Sequence, residues 1–382
     1  MRGRTFSREH ILQEFQQHCQ ELAANDNAGY KQQFEDLCDV GQEFSTRAGE
    51  LDANKNKNRY PYILPYDHSR VRLSLLESIL HSDYINASYV PGGSSARDFI
   101  CTQGPLRNTM ADFWRMVWEQ NVHIIIMVTA LRESGKVLCD QYWPPERGTG
   151  CYGNIQVTTA TCKRCPESYI TSIYLQQSGS SSRRKVTHYL YPGWPDQGVP
   201  HNLSSLGAFV EHVRQHMDNT QRLGPTVVHC SAGVGRSGSF VALLWLTQLC
   251  VRGILPDVKA TVQDLRRHRV LMVQTLEQYI CVHKCLLHWL GADNKDPQSR
   301  TQGAHLHTSV PQQSQPRSRS QNSRKSTRRA HQSETAHSHT QQPSQSILQA
   351  LHTHLRVIHP SNLLRRMRPH STNPQTSANT HQ

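Results

Sequence analysis

Val228-His229-Cys230-Ser231-Ala232-Gly233-Val234-Gly235-Arg236-Ser237-Gly238 sets a cysteine and an arginine six positions apart with small residues between them. Upstream, Thr226-Val227-Val228 reads as a short buried strand; downstream, Phe240, Val241, Leu243, Leu244, Leu246 and Leu249 give Ser237 to Val251 a helix pattern. The stretch is therefore a loop between a strand and a helix. Gly233, Gly235 and Gly238 let backbone N–H groups turn inward, and the following helix aims the positive end of its dipole at the same point. A loop so built is an anion cradle, and Arg236 adds a planar fork that fits two phosphate oxygens.

The Cys230 thiol lies in that field. Inward N–H groups, dipole and guanidinium all favour its anion, so its pKa is expected to fall well below the free value of about 8.5. A thiolate held where a phosphate binds is a nucleophile on phosphorus, and the expected intermediate is a phosphocysteine. The plainer alternative, a structural cysteine in a glycine turn, has no use for an arginine and three glycines around an apolar thiol. Transfer to sulfur also needs a proton for the departing oxygen. Asp196, in the Pro/Gly-dense stretch Tyr191 to Pro200 that carries Trp194, is the candidate acid. Taken alone it reads as a turn aspartate; beside the cysteine loop it reads as the acid.

Further motifs extend the pattern: Lys57-Asn58-Arg59-Tyr60, Asp83-Tyr84-Ile85-Asn86-Ala87, Thr102-Gln103-Gly104-Pro105, Asp112-Phe113-Trp114, Gln141-Tyr142-Trp143-Pro144 and Gln274-Thr275-Leu276-Glu277-Gln278-Tyr279. With these, and from about Ala28 to Leu290, the chain resembles the protein tyrosine phosphatases. Phe34 to Gly41 and Ser69 to Leu73 look most like the catalytic domain of the single-domain receptor-type members with fibronectin-like ectodomains.

The resemblance implies a role for each matching position. Cys230 would be the nucleophile, Arg236 the phosphate clamp, and Asp196 the acid and then the base. Ser237 would ease departure of the thiolate, and Gln274 and Gln278 would position the hydrolytic water. Ser231, Ala232, Gly233, Val234 and Gly235 would line the phosphate cradle. Glu133 would hold Arg236 by a salt bridge, His229 would help set the cysteine pKa, and Trp194 would anchor the acid loop. Tyr60 would stack on the substrate ring at the rim of a pocket too deep for phosphoserine or phosphothreonine. Without the cysteine loop, Tyr60 reads equally as a packed aromatic, Gln274 and Gln278 as surface glutamines, and Glu133 as a turn acid. No cofactor or metal is expected, because backbone donors and one arginine supply the charge stabilisation.

Three positions depart from the family pattern. Tyr62 stands where the family usually has Asp or Asn to clamp the peptide backbone; Leu138 sits where many members have a lysine that helps tether the acid loop; Gly193 replaces a bulkier residue before Trp194. Glycine raises the entropy lost on ordering a loop, so altered closure is expected: a lower rate with phosphate affinity kept. Two rival functions share parts of the pattern. A phosphoinositide or dual-specificity phosphatase has the cysteine-to-arginine spacing without the Lys57-Asn58-Arg59-Tyr60 motif, and a non-catalytic phosphotyrosine binder typically lacks the acid or the cysteine.

Residues 28 to 291 suffice for one α/β domain. Val122 to Val128 reads as a central strand buried on both faces, and Ile155 to Cys162, Tyr169 to Leu175 and Lys185 to Leu190 as outer strands. Leu203 to Met217 and Leu276 to Trp289 have helical spacing. The expected fold is a central, highly twisted mixed sheet flanked by helices on both sides, with the cysteine phosphate-binding loop between strand and helix. In front, residues 1–27 read as a docking helix capped by Ser7, with Ile11, Leu12, Phe15, Cys19 and Leu22 on its apolar face and Phe6 stapled to Ile11. The rival reading, a membrane-anchoring helix, is weakened because the face carries no aromatic belt and few cations.

Residues 292–382 change character. Ser, Gln, His, Thr and Arg dominate, with no Tyr, Trp or Phe, which is the composition of a disordered tail. From Asp293 onward, twelve Lys or Arg against three acids contribute +9 of the net +13, leaving +4 for everything before. The Ser-Arg pairs around Arg317, Arg319, Arg324, Arg328 and Arg329 suit anionic lipid or RNA, but nothing there stacks bases, so specific nucleic-acid binding is not expected. Ile347, Leu348, Leu351, Leu355 and Ile358, followed by Arg365, Arg366 and Arg368, have the pattern of a short amphipathic helix that meets a membrane or a partner. Eleven cysteines without a framework point to a reducing, cytoplasmic compartment. Cys162-Lys163-Arg164-Cys165 has no second pair at ligand spacing and reads as a strand-turn pair rather than a zinc site. The longest apolar run, Phe240 to Val251, is too short to span a bilayer.

Overall fold

The computed structural model describes residues 5–77, 79–196, 198–221 and 223–292. The expectations made for the tail from residue 293 on lie outside the described residues.

The strands are β1 (Arg70–Arg72), β2 (Tyr84–Val90), β3 (Phe99–Thr102), β4 (Ile124–Met127), β5 (Arg132–Glu133), β6 (Lys136–Val137), β7 (Thr149–Tyr152), β8 (Ile155–Arg164), β9 (Tyr169–Gln177), β10 (Arg183–Leu190) and β11 (Thr226–His229). The helices are α1 (Arg8–Glu35), α2 (Arg47–Glu50), α3 (Asp52–Lys55), α4 (Met110–Glu119), α5 (Leu203–Asn219), α6 (Gly235–Val251), α7 (Val258–His268) and α8 (Leu276–Ala292). Nine strands form one sheet in the order β1-β2-β3-β11-β4-β10-β9-β8-β7, while β5 and β6 make a separate hairpin.

The middle of the sheet is parallel: β11 pairs with β3 and β4, and β4 with β10. The flanking pairs are antiparallel. Parallel strands need cover on both faces, which is why Ile124-Ile125-Ile126-Met127 and Thr226-Val227-Val228-His229 are buried throughout. Of the expected strand over Val122 to Val128, Ile124–Met127 form β4, and His123 and Val128 add one backbone hydrogen bond each, to β10 and β11 respectively. Phe209, Phe240, Leu243, Tyr279 and Trp289 of α5, α6 and α8 fill one face of the sheet, and α1 joins them through Ile11, Phe15, Cys19 and Leu22. Phe113, Trp114, Met116 and Val117 of α4 cover the other, against Ile125, Met127 and Val227.

Ser7 caps α1 by accepting the His10 N–H at 3.2 Å, and Arg8 donates to the carbonyls of Leu290 and Trp289 at the end of α8. Phe6 stacks on His10 and leans on the cluster that contains Ile11. The helix breaks at Ala24–Asn27, where Asn25, Asp26 and Asn27 adopt the left-handed backbone that Asn and Asp tolerate best among non-glycine residues. Among the described residues no helix is long and apolar enough to cross a membrane.

Because β11 lies mid-sheet and ends at His229, the loop that follows opens at the carboxyl ends of the parallel strands. In open α/β sheets that is where ligands bind.

Candidate active site

The loop after β11 is held from outside by its carbonyls. His229 Nδ1 faces the Cys230 carbonyl at 3.2 Å, and Gly104 N–H donates to Ser231 at 2.9 Å. Arg269 donates to Ala232 at 3.0 Å and to Gly233 at 2.9 Å, and the N–H groups of Val273 and Gly238 reach Val234. Five consecutive carbonyls are thus tied outward. In a planar trans peptide the C=O and N–H point in opposite directions, so each tie turns the next residue's N–H to the other side. The Ala232–Gly233 peptide displays this directly: its carbonyl is on Arg269 and its N–H donates to Cys230 Sγ at 3.2 Å. Gly233 has φ +75°, and a Cβ there would sit 2.1 Å from the Thr102 carbonyl oxygen, so glycine is required.

Cys230 is nearly inaccessible, 3% exposed. Burial is the largest influence on its thiol and opposes ionisation, but the Arg236 guanidinium, the Ser237 hydroxyl and N–H, and the Gly233 N–H together outweigh it, and the pKa lies below its ordinary value. Ser237 Oγ has no partner among the described residues other than the sulfur it faces. Cys101 and Cys139, equally buried nearby, go the other way: burial pushes both thiols up to about 12. Reactivity at Cys230 therefore comes from the loop's donors and Arg236 rather than from seclusion.

Asp196 sits over the loop. Arg236 donates to its Oδ1 at 2.9 Å and to the Trp194 carbonyl at 3.1 Å, while the buried Trp194 ring donates to the Gly198 carbonyl. Glu133 does not form the salt bridge expected with Arg236. Its carboxylate accepts the Asp196 N–H at 2.9 Å, and the guanidinium is already engaged by Asp196 and Trp194. The β5–β6 hairpin brings a second group to the acid loop: Lys136 Nζ lies 3.5 Å from Asp196 Oδ2 and 5.9 Å from the centre of the Tyr60 ring. A cation thus reaches the acid from two positions before Leu138, which is itself fully buried. A side chain at Gly193 would meet nothing closer than the Tyr191 ring at 3.9 Å, so space does not demand glycine there.

Tyr60 and Ser231 share a 2.6 Å hydrogen bond between their hydroxyls, which joins the rim to the loop. Arg59 fixes this wall: it donates to the carbonyls of Gly104 and Pro105 and pairs with Asp140, while its N–H bonds Gln103. Tyr62 is 79% exposed. On the opposite side, a Cβ at Gly235 would meet Gln278 Oε1 at 2.7 Å and Gln274 Cβ at 3.2 Å, so both glutamines lie against the cradle. Gln274 follows a strained turn. Leu271 and Val273 have φ +54° and +58°, a genuine outlier for a β-branched residue, worth about 1–3 kcal/mol. Buried Arg266 holds that turn through the carbonyls of Met272 and Val273. Among the described residues no group of His, Cys, Asp and Glu is placed to hold a metal ion.

The family model for protein-tyrosine phosphatase matches residues 54–288. The chain belongs to the protein-tyrosine phosphatase family. It is 46% identical over 276 residues to receptor-type tyrosine-protein phosphatase V of Rattus norvegicus, covering 72% of this chain and 16% of that protein. It is 40% identical over 295 residues to receptor-type tyrosine-protein phosphatase F of Danio rerio (77% and 15%), and 41% over 289 residues to receptor-type tyrosine-protein phosphatase S of Gallus gallus (76% and 19%). The chain thus spans less than a fifth of the length of these relatives.

Three site residues of this family member were not evident from its sequence. Arg269, fully buried, reaches the loop and also Ser88 and Asn86 on β2; Arg266 braces the glutamine turn; Lys136 reaches the acid. The two arginines had only a weak signal, cations in the run Leu265 to Val270 beside an apolar helix face. Lys136 had the two-residue Ser134-Gly135 turn, whose positive φ values build a tight hairpin.

Proposed function

We propose that this chain is a protein-tyrosine phosphatase that hydrolyses phosphotyrosine in proteins. Cys230 attacks phosphorus; as the S–P bond forms, the bond to the tyrosine oxygen breaks and Asp196 gives that oxygen its proton. Water held by Gln274 and Gln278 then attacks the phosphocysteine, Asp196 takes the water's proton, and Ser237 assists the departing thiolate. Arg236 holds the equatorial oxygens in both steps. Catalysis of this kind is positioning plus charge stabilisation, which fixed N–H groups and one guanidinium supply.

One observation carries the reading: a thiol with its pKa depressed despite burial, in a loop whose carbonyls are all turned outward, with a carboxylic acid bonded to the loop's own arginine. Tyr60, hydrogen-bonded to Ser231, supports a pocket wall that selects the longer phosphotyrosine. The relatives' names contain "receptor-type", and on that likeness we read the chain as a catalytic unit acting on the cytoplasmic side of a membrane. Its eleven free thiols suit a reducing compartment. The basic tail is read, from composition, as a solvated arm for anionic lipid or a partner protein.

The test compares phosphotyrosine peptide, phosphothreonine peptide and inositol phospholipid as substrates of the full chain, Cys230→Ser and Asp196→Ala. Turnover of phosphotyrosine alone is expected, lost in Cys230→Ser, and about 10²–10⁴-fold slower in Asp196→Ala with phosphate affinity kept. Equal turnover of the other two substrates, or activity surviving in Cys230→Ser, refutes the reading.

A further inference from the structure

Of the five outward carbonyls, four are held by backbone N–H groups or an arginine, donors with one possible polarity. The Cys230 carbonyl alone is held by an imidazole, which can present either a proton or a lone pair. What settles its tautomer lies two strands away. Tyr142 Oη is 2.7 Å from His229 Nε2 and 2.8 Å from His188 Nε2, so a chain runs His188, Tyr142, His229, Cys230. His188 on β10 and His229 on β11 flank β4 and face the layer filled by Phe113, Trp114 and Val227. Every member of the chain is fully buried, and burial depresses His188 to about 3 and His229 to about 4, so both rings are neutral at pH 7.

With neutral rings only one proton order satisfies the chain. The carbonyl accepts only, so His229 carries its proton on Nδ1 and its Nε2 is a lone pair. Tyr142 has one proton and must give it to that lone pair, and its oxygen must then accept from His188 Nε2–H. The reverse tautomer of His188 would set two lone pairs against one phenol proton and bury an unpaired N–H on Nδ1. Among the described residues His188 Nδ1 has no partner, and a buried orphan acceptor is cheaper than an orphan donor.

We propose that His188 is a positioning residue for the nucleophile: through Tyr142 it fixes His229 as the Nδ1–H tautomer, which ties the Cys230 carbonyl outward and turns the Ser231 N–H into the phosphate cradle. The inference rests on the reading of Cys230 as nucleophile but is measured without turnover. Other charged or titratable groups near this chain are Arg59, Arg236 and Arg269 and the thiols Cys101 and Cys139; among the described residues none donates to the Cys230 carbonyl.

Nitrogen NMR of the histidine-labelled full chain at pH 7 is expected to place the protons on His229 Nδ1 and His188 Nε2. Two variants then read the consequence: His188→Gln keeps an N–H donor for Tyr142, and His188→Phe removes it. The readouts are the pH midpoint of Cys230 alkylation by iodoacetate and the affinity for inorganic phosphate. Loss of one buried hydrogen bond predicts about fivefold weaker phosphate binding and a midpoint higher by roughly half a unit in His188→Phe, with His188→Gln within about twofold of the parent. A proton on His229 Nε2 overturns the proposal, as does a Gln variant no better than Phe. If His188→Phe does not fold, the parent's tautomers still decide. If the tautomers are as stated and phosphotyrosine is not hydrolysed, it is the proposed activity that fails.

Discussion

Replacing Arg269 by methionine removes a guanidinium that makes four hydrogen bonds with no exposure to water: to Gly233 and Ala232 in the loop, and to Ser88 and Asn86 on β2. Four acceptors lose a charged donor, each worth about 1.5–3 kcal/mol, so the gross loss is roughly 6–12 kcal/mol. Against this stands the relief of a buried cation with no carboxylate partner in those contacts, a penalty of several kcal/mol that methionine escapes. The net expectation is destabilisation by about 3–5 kcal/mol. The functional effect is sharper than the stability effect, because the Ala232 carbonyl and the Gly233 N–H belong to one peptide. Once Arg269 no longer holds the carbonyl, the N–H is free to swing off the sulfur. Urea unfolding measures the first effect; alkylation of Cys230 across pH, in conditions where the variant is folded, measures the second. The midpoint of alkylation should move up, toward that of an ordinary thiol. A variant that unfolds within about 0.5 kcal/mol of the parent and keeps the parent's alkylation profile would refute the idea that the loop's reactivity is fixed from outside.

Two further outcomes follow from the same geometry. Gly233→Ala must place a side chain at φ +75° and 2.1 Å from the Thr102 carbonyl oxygen; about 2–4 kcal/mol of stability should be lost in urea unfolding, and phosphate binding with it, and a stable, phosphate-binding Ala variant would show that the loop tolerates another path. Burial depresses His188 to about 3, and His229 and His283 to about 4. The unfolded chain takes up these protons from about pH 6.5 down while the folded chain does not, so stability is full above that pH and falls below it, by up to about 1.4 kcal/mol per pH unit for each ring. Denaturant midpoints should therefore drop steeply between pH 6.5 and 5, and a flat profile there would mean the rings protonate in the folded state.

The parts of this site that were legible in its sequence are those encoded locally. The cysteine loop declares itself because seven residues from Cys230 to Arg236 carry nucleophile, cradle and clamp together, with strand and helix periodicity immediately on either side. Asp196 needed only its Pro/Gly setting and the loop's presence. The strand β2 was recognised as a motif but not as a strand, since six of its seven residues are buried and no alternation marks it. Glu133 was assigned the wrong contact for a related reason. The resemblance implied a contact with Arg236, but whether Glu133 meets that guanidinium or a backbone N–H of the acid loop depends on how Asp196 itself lies on Arg236. The braces were the least legible. Arg269 joins residues 36 and 183 positions away, and His188 acts across two strands, so neither leaves a local pattern to read.

Cys101, Cys139 and Cys230 give an internal comparison of what favours a thiolate. All three are buried to within a few per cent, so the cost of removing a thiolate from water is similar at each. Two have their pKa pushed up to about 12 and one has it pushed down. The difference cannot come from burial; the Arg236 guanidinium lowers the pKa most and the Ser237 and Gly233 donors add to it, but the donors' share would be lost on a mobile loop, because N–H dipoles free to turn toward the sulfur are equally free to turn away. It requires donors that have already been aimed when the thiol ionises. That aiming is done by groups that never touch the sulfur: Gly104, Arg269, Val273 and, through Tyr142, His188. The strained backbone at Val273 and the obligatory glycine at 233 are the local costs of holding them there. The acidity of Cys230 is then a property of the folded sheet and its braces, and should disappear on unfolding together with the tertiary structure, not in a separate local step.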